Sequence, residues 1–237
     1  MKYVLSLLFI LMSTQFTEAQ WFSKEKVINN ENFDKKTISY GYYLGFNSYD
    51  FNLDYFEDQK DIQVTTSFGF NVGLLGNLRI NDYIDIRLEP GLVISSRILN
   101  YDPSYFNGIT FEDKDLTREL RSTFIHIPLL VKFSTKRVNN IKPFIVGGFS
   151  TALNLSSQQD NPDDNSNRIF RLKKNNLYYE LGIGIDLFLE WFKFTPSIRG
   201  VFSMKDELVK DIDPNSPWTS NISQMQTRGL FINFTFQ

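Results

Sequence analysis

The sequence predicts an all-β protein: an eight-stranded antiparallel transmembrane β-barrel, an up-and-down meander with four long external loops. Three observations carry that prediction. Apolar and polar residues alternate over stretches about twice the usual soluble strand length. Long polar connections alternate strictly with short ones. The chain also opens with an export signal and has no later apolar stretch near the roughly 20 residues of a membrane helix.

Met1-Lys2 is followed by the apolar run Tyr3–Met12, broken only by Ser6 and too short to span a bilayer. Residues 1–19 therefore read as a signal peptide, with cleavage after the small residue Ala19. Residues 20–36 read as a short polar periplasmic leader, and 37–237 as the barrel. No cysteine occurs, which excludes a lipid anchor on cysteine, a disulfide framework and thiol chemistry. The formal charge of −2 does not change when Lys2 and Glu18 leave with the peptide, and nothing in it points to nucleic acid. A mean hydropathy of −0.25 is compatible with a membrane barrel, because lipid-facing and lumen-facing residues average out. The 23 Phe, 11 Tyr and 3 Trp favour β structure and interfacial belts over helices.

The first strand carries Ile38, Tyr40, Tyr42, Leu44 and Phe46 at a period of two. The second runs from 66 to 80, with Phe68, Phe70, Val72, Leu74, Leu78 and Ile80 set against Ser67, Gly69, Asn71, Gly73, Asn77 and Arg79. In the third, Ile84, Ile86, Leu88, Leu92 and Ile94 alternate with Asp85, Arg87, Glu89, Gly91 and Ser95. The fourth carries Thr123, Ile125, Ile127, Leu129, Val131 and Phe133, and the fifth Pro143, Ile145, Gly147, Phe149 and Leu153. The sixth alternates Leu177, Tyr179, Leu181, Ile183, Ile185 and Leu187 with Tyr178, Glu180, Gly182, Gly184 and Asp186. Phe192, Phe194, Ile198 and Phe202 mark the seventh, against Lys193, Thr195, Ser197 and Arg199, and Leu230, Ile232, Phe234 and Phe236 mark the last. Helix is disfavoured, since this spacing would scatter the apolar residues around a cylinder.

The long connections fall at about 50–64, 97–119, 156–175 and 204–225, and the short ones at 81–83, 134–140 and 188–191. That order places both termini in the periplasm and the protein in the cell outer membrane, with the lipid bilayer as its first partner. Tyr83 and Trp191 at short turns, and Tyr49, Tyr101 and Tyr178 near long loops, are expected to form lower and upper aromatic girdles. The closing run Thr227–Gln237 has the glycine, alternation and near-terminal aromatic by which barrel-assembly machinery selects a last strand. With the export signal and the loop pattern, it favours membrane insertion over a soluble sandwich or lipocalin-like barrel.

If the apolar faces meet lipid, Arg87, Glu89, His126, Lys132, Glu180, Asp186, Lys193 and Arg199 face the lumen, and in so narrow a barrel they should neutralise one another as a plug. His126 is the only histidine, so multi-histidine sites are excluded. It shares a face with Ser122 and Lys132, which turns it away from any lipid substrate, and no carboxylate near it in sequence orients it. No catalytic residue, cofactor or metal is assigned. The loop Gln158–Asn165 offers oxygen donors without EF-hand spacing and reads as a solvated turn. Pro128, Pro143 and Pro196 are expected at strand ends or bulges. Tyr101, Pro103, Tyr105, Phe106 and Ile109 in the second long loop, and Pro217 and Trp218 in the fourth, either contact a protein partner or fold over the mouth as a lid.

The segment Asn32–Asn47, the run Glu89-Pro90-Gly91-Leu92, the run Ile125–Lys132 and the run Asn140–Gly148 resemble the leader with first strand, and the third, fourth and fifth strands, of PorT-like proteins of the Bacteroidetes group. The resemblance covers nearly all of the mature chain. The middle motifs occur widely among small barrels of that group, and the leader with the first strand is the more specific part. The resemblance implies a component of the type IX secretion system, which supports gliding motility in species that glide, with other subunits of that system as partners and no catalytic residues to carry over.

Overall fold

A computed structural model describes residues 28–57, 61–161 and 170–237. The signal peptide, residues 20–27 of the leader and part of the Gln158–Asn165 loop lie outside the described residues. Eight strands form a closed antiparallel ring: β1 (Ile38–Tyr55), β2 (Gln63–Thr66 continued by Phe68–Arg79), β3 (Ile84–Leu88 continued by Gly91–Asn100), β4 (Thr117–Ser134), β5 (Ile141–Asn154), β6 (Asn175–Phe188), β7 (Lys193–Ser203) and β8 (Ile222–Phe236). Each pairs with its sequence neighbour, and β1 closes on β8 from Tyr42↔Phe236 onward. Closure removes the free edges that an open sheet would leave in hydrocarbon, where backbone groups have no water to bond.

The predicted faces hold. Tyr40, Phe68, Leu74, Leu129, Ile145, Leu181 and Ile183 are exposed to the surroundings, whereas Asn71, Arg87, His126, Lys132, Glu180 and Asp186 are buried inside. The sheet is greasy outside and polar inside, the reverse of a soluble protein and the arrangement a bilayer demands.

Several strands run further than expected, because the polarity of the two faces inverts partway up. On β1 the outward residues change from Phe46 to Ser48, Asp50, Asn52 and Asp54, while the buried inward ones change from Asn47 to Tyr49 and Phe51. On β4 the outward face passes from Ile125 to Thr123, Arg121, Glu119 and Thr117, and Leu120 points in. On β8 it passes from Leu230 to Arg228, whose guanidinium meets Asp50 at 2.6 Å across the β1/β8 seam. Above this boundary the barrel has an ordinary water-facing exterior and an apolar core.

Two expectations are corrected here. Tyr49, Tyr101 and Tyr178 are fully buried inside and form no upper girdle. The exposed aromatics toward the long-loop end include Phe46, Phe68, Phe149 and Tyr179, and those at the short-turn end include Trp191 and Tyr83 as expected. Pro128, Pro143 and Pro196 lie inside β4, β5 and β7 rather than at ends, because a proline loses only its donor. Pro128 and Pro143 still accept through their carbonyls, from the Glu89 and Thr135 amides. At Ser67 the β2/β3 pairing slips by one residue between Thr66↔Arg97 and Phe70↔Ile94, and this bulge lets Ile62 and Val64 pack inward above the boundary.

Candidate functional site: a charged lumen closed at both ends

The inward residues of the alternating strands converge into two ion clusters. In the lower one, Asp186 on β6 pairs with Lys132 on β4, lies 4.0 Å from Lys193 on β7, and accepts a hydrogen bond of 2.7 Å from the Thr195 hydroxyl. In the upper one, Glu89 on β3 sits between Arg87 and Arg199, each at 2.7 Å. Arg199 Nε then reaches Glu180 Oε2 at 3.5 Å, and Glu180 Oε1 lies 2.9 Å from His126 Nε2, a close contact without the alignment of a hydrogen bond. All eight residues predicted to face the lumen are buried and belong to one of these clusters. An unpaired charge at this depth would cost several kcal/mol, so mutual pairing is what makes the polar interior tolerable.

Small residues make the room. A Cβ on Gly182 would stand 2.4 Å from Arg199 Cγ, and one on Gly91 would stand 2.1 Å from Tyr43 Oη. The Tyr43 ring lies over Gly73 and Gly91 and its hydroxyl donates to the Glu89 carbonyl at 3.3 Å.

As expected, no carboxylate near His126 in sequence meets it; the one beside it, Glu180, comes across the lumen from β6. Ser122 is not its partner, because the Ser122 hydroxyl accepts from Arg97 at 3.2 Å. The Tyr178 and Phe231 rings enclose the imidazole, at 6.2 Å and 5.8 Å between centroids.

Both ends are covered. At the long-loop end Phe51, Leu99, Tyr101, Phe106, Leu120, Phe170, Leu172, Leu208 and Met225 form a core inside the mouth, with Tyr105 and Trp218 packed against it. Of the candidate loop contacts, Tyr101 and Phe106 are thus lid residues, while Tyr105 and Trp218 are only partly exposed. Tyr101 donates to the Trp218 carbonyl at 3.0 Å, and Trp218 stacks on Arg118 at 4.2 Å. At the short-turn end residues 28–36 fold back across the opening. Arg137 there donates to the Asn29 carbonyl and to Asp34 at 3.1 Å, and stacks on Phe188 at 3.8 Å, while Lys193 lies 4.7 Å over Phe33.

Arg97 and Glu207 were not foreseen. Arg97 continues the inward parity Val93, Ser95, Arg97, a signal present in the sequence but hidden by reading 97–119 as a loop. It lies 3.8 Å over Phe51 and donates to Thr227 at 3.1 Å; Thr227 in turn donates to Glu207 at 2.7 Å. Nothing local marks Glu207, which reaches the interior by crossing the mouth, its amide donating to the Met225 carbonyl at 2.8 Å.

Burial pushes the Glu207 carboxyl up, against the opposing pull of the Thr227 hydroxyl and Arg97. A raised folded value favours the neutral acid, so this contribution is full below the ordinary carboxylate range and is lost as pH rises through the folded value. Glu207→Gln is therefore expected to gain stability over the parent progressively from about pH 4 to neutral pH. Urea midpoints of the two proteins at stepped pH measure it, and a constant difference would contradict it.

A search of curated proteins finds no match. Among solved structures the chain is similar to the outer membrane protein OprG from Pseudomonas aeruginosa, at 15% identity and a TM-score of 0.44, over 84% of this chain and 93% of that one. It is similar to Neisserial surface protein A at 10% identity and a TM-score of 0.41, over 84% and 98%. A third is Ail, the attachment invasion locus protein of Yersinia pestis, solved with the heparin analogue sucrose octasulfate, at 8% identity and a TM-score of 0.38, over 83% and 96%. Residues 19–209 match the family model described as outer membrane protein beta-barrel domain, so the chain belongs to that family and is a small outer-membrane β-barrel protein.

Proposed function

We propose that this barrel is a non-enzymatic, non-conducting accessory subunit of a protein-secretion machine, the type IX system that its sequence resembles, and that it anchors or stabilises the translocon. The observation that carries the reading is the lumen. Paired buried charges fill it, the loop core and residues 28–36 cover its ends, and an eight-stranded barrel has no spare interior for a polypeptide. Its work is then done by surfaces: the long loops outside and the leader in the periplasm, with both termini periplasmic and the other secretion subunits as partners. His126, enclosed by Glu180, Tyr178 and Phe231, has no route to a lipid substrate, which supports the non-enzymatic reading.

A clean deletion tests this directly. The expected result is secreted cargo trapped in the periplasm with the general outer-membrane barrel population intact, restored by the parent gene and by His126→Ala. Normal secretion in the deletion would remove the secretion role, and a changed lipid A mass spectrum would replace it with an enzyme.

A further inference from the structure

Above the lipid boundary the ring does not stay continuous. It parts into two half-sheets. One contains Gln63–Thr66 of β2, the top of β3, and Thr117–Ser122 of β4, paired from Asn100↔Thr117 to Ser95↔Ser122. The other contains the tops of β1 and β8, joined through Glu207 N–H to the Met225 carbonyl, Lys173 N–H to the Glu207 carbonyl, and Val209 N–H to the Arg171 carbonyl. Two seams separate them. The β1/β2 seam is bridged, since the Ile62 amide donates to the Tyr55 hydroxyl at 3.0 Å. Beside β4, among the described residues, no backbone hydrogen bond crosses the seam above Thr123.

That second seam begins where β4/β5 pairing stops, at Phe124↔Asn154 and the Leu155 amide bonded to the Thr123 carbonyl at 2.8 Å. The Thr123 carbonyl points toward β5. In an antiparallel strand every second residue aims its amide and carbonyl the same way, so Arg121 and Glu119 direct theirs into the seam. Among the described residues no backbone group meets them there. The seam is a cleft of about 360 Å³, with Leu120, Phe170 and Leu172 on its inner side and Ser156 and Gln158 opposite. The Leu172 carbonyl across the cleft accepts from the Ser157 hydroxyl at 2.7 Å.

We propose that this edge of β4 is a strand-addition site: an extended segment of a partner protein lies in the cleft and bonds to the backbone of Glu119 and Arg121. Donors and acceptors repeating every second residue are matched by an extended backbone and by no compact ligand. The flanks define the partner further. Alternate side chains of the incoming segment face Leu120, Phe170 and Leu172 and are apolar. The others lie outside beside Arg121 and Glu119, which are exposed and pair with each other at 2.7 Å, and are polar. The site stands apart from the lumen and does not depend on the secretion reading, though it would give such a subunit a way to hold a partner.

The test uses the refolded full chain in detergent micelles and a short synthetic peptide alternating valine with threonine, glutamate and lysine. Amide exchange is followed at Glu119 and Arg121. The peptide is expected to slow both about tenfold or more. Arg121→Pro, which removes the edge donor and leaves pairing to β3 intact, should weaken peptide binding about tenfold, as loss of one such bond implies, whereas Arg121→Ala should keep it within about threefold. Three results would overturn the proposal: Glu119 and Arg121 amides already protected without peptide, no change at millimolar peptide, or equal binding by the proline and alanine variants.

Discussion

Replacing Glu89 with alanine is expected to destabilise the barrel by about 3–5 kcal/mol, the range for breaking a buried pair from one side. Glu89 is the carboxylate between Arg87 and Arg199 at 2.7 Å each. Arg199 would keep Glu180, at 3.5 Å, but the Arg87 guanidinium has no second carboxylate within ion-pair distance among the described residues and would be left charged in a closed interior. Urea unfolding of the refolded protein in lipid vesicles, followed by tryptophan fluorescence, measures the loss. Glu89→Ala combined with Arg87→Leu should recover a large part of it, because removing both charges is far cheaper than stranding one. A Glu89→Ala protein within about 0.5 kcal/mol of the parent would mean that the interior is wet enough to screen these charges.

The second large effect lies on the outer face. Leu181 points outward midway along β6, between Tyr179 and Ile183, and is exposed. Arginine there is expected to cost about 2–4 kcal/mol in a bilayer, as for charges near the midplane of other barrels. Asn52, outward on β1 above the polarity change, should accept arginine at less than about 1 kcal/mol. The same vesicle assay reads both. Equal costs at Leu181 and Asn52 would contradict the boundary drawn at Ser48, Thr123 and Arg228.

Eight strands and their lipid faces were legible because the apolar parity is long and uninterrupted where hydrocarbon sets it. From Phe68 to Ile80 every second residue is apolar or glycine, and no packing detail is needed to read that. The upper strand halves were misread as loop for a physical reason. At Ser48 and Thr123 the outside becomes water, the apolar residues change parity, and a template of one greasy face sees the pattern end. Tyr49, Phe51 and Leu99 were therefore taken as loop or girdle residues when they line the interior.

The lumen shows the same division. Which residues face inward follows from parity, and all eight expected ones do so. Which residue pairs with which does not, because partners come from strands far apart in the chain that meet only through closure. Glu180 beside His126 is the clearest case, and Arg137 closing over Asn29 and Asp34 is another. Glu207 carries no local sign at all, since its depth depends on how the last long loop crosses the mouth.

The central claim is that paired charge, a loop core and the folded-back leader together leave no water path through the barrel. Single-channel recording in planar bilayers tests it most directly. The account predicts that the purified full chain, shown by its resistance to mild detergent to be folded, gives no conductance steps at neutral pH. Stable, reproducible openings from the unmodified protein would contradict it, and the reading of the barrel as a sealed anchor would fall with it.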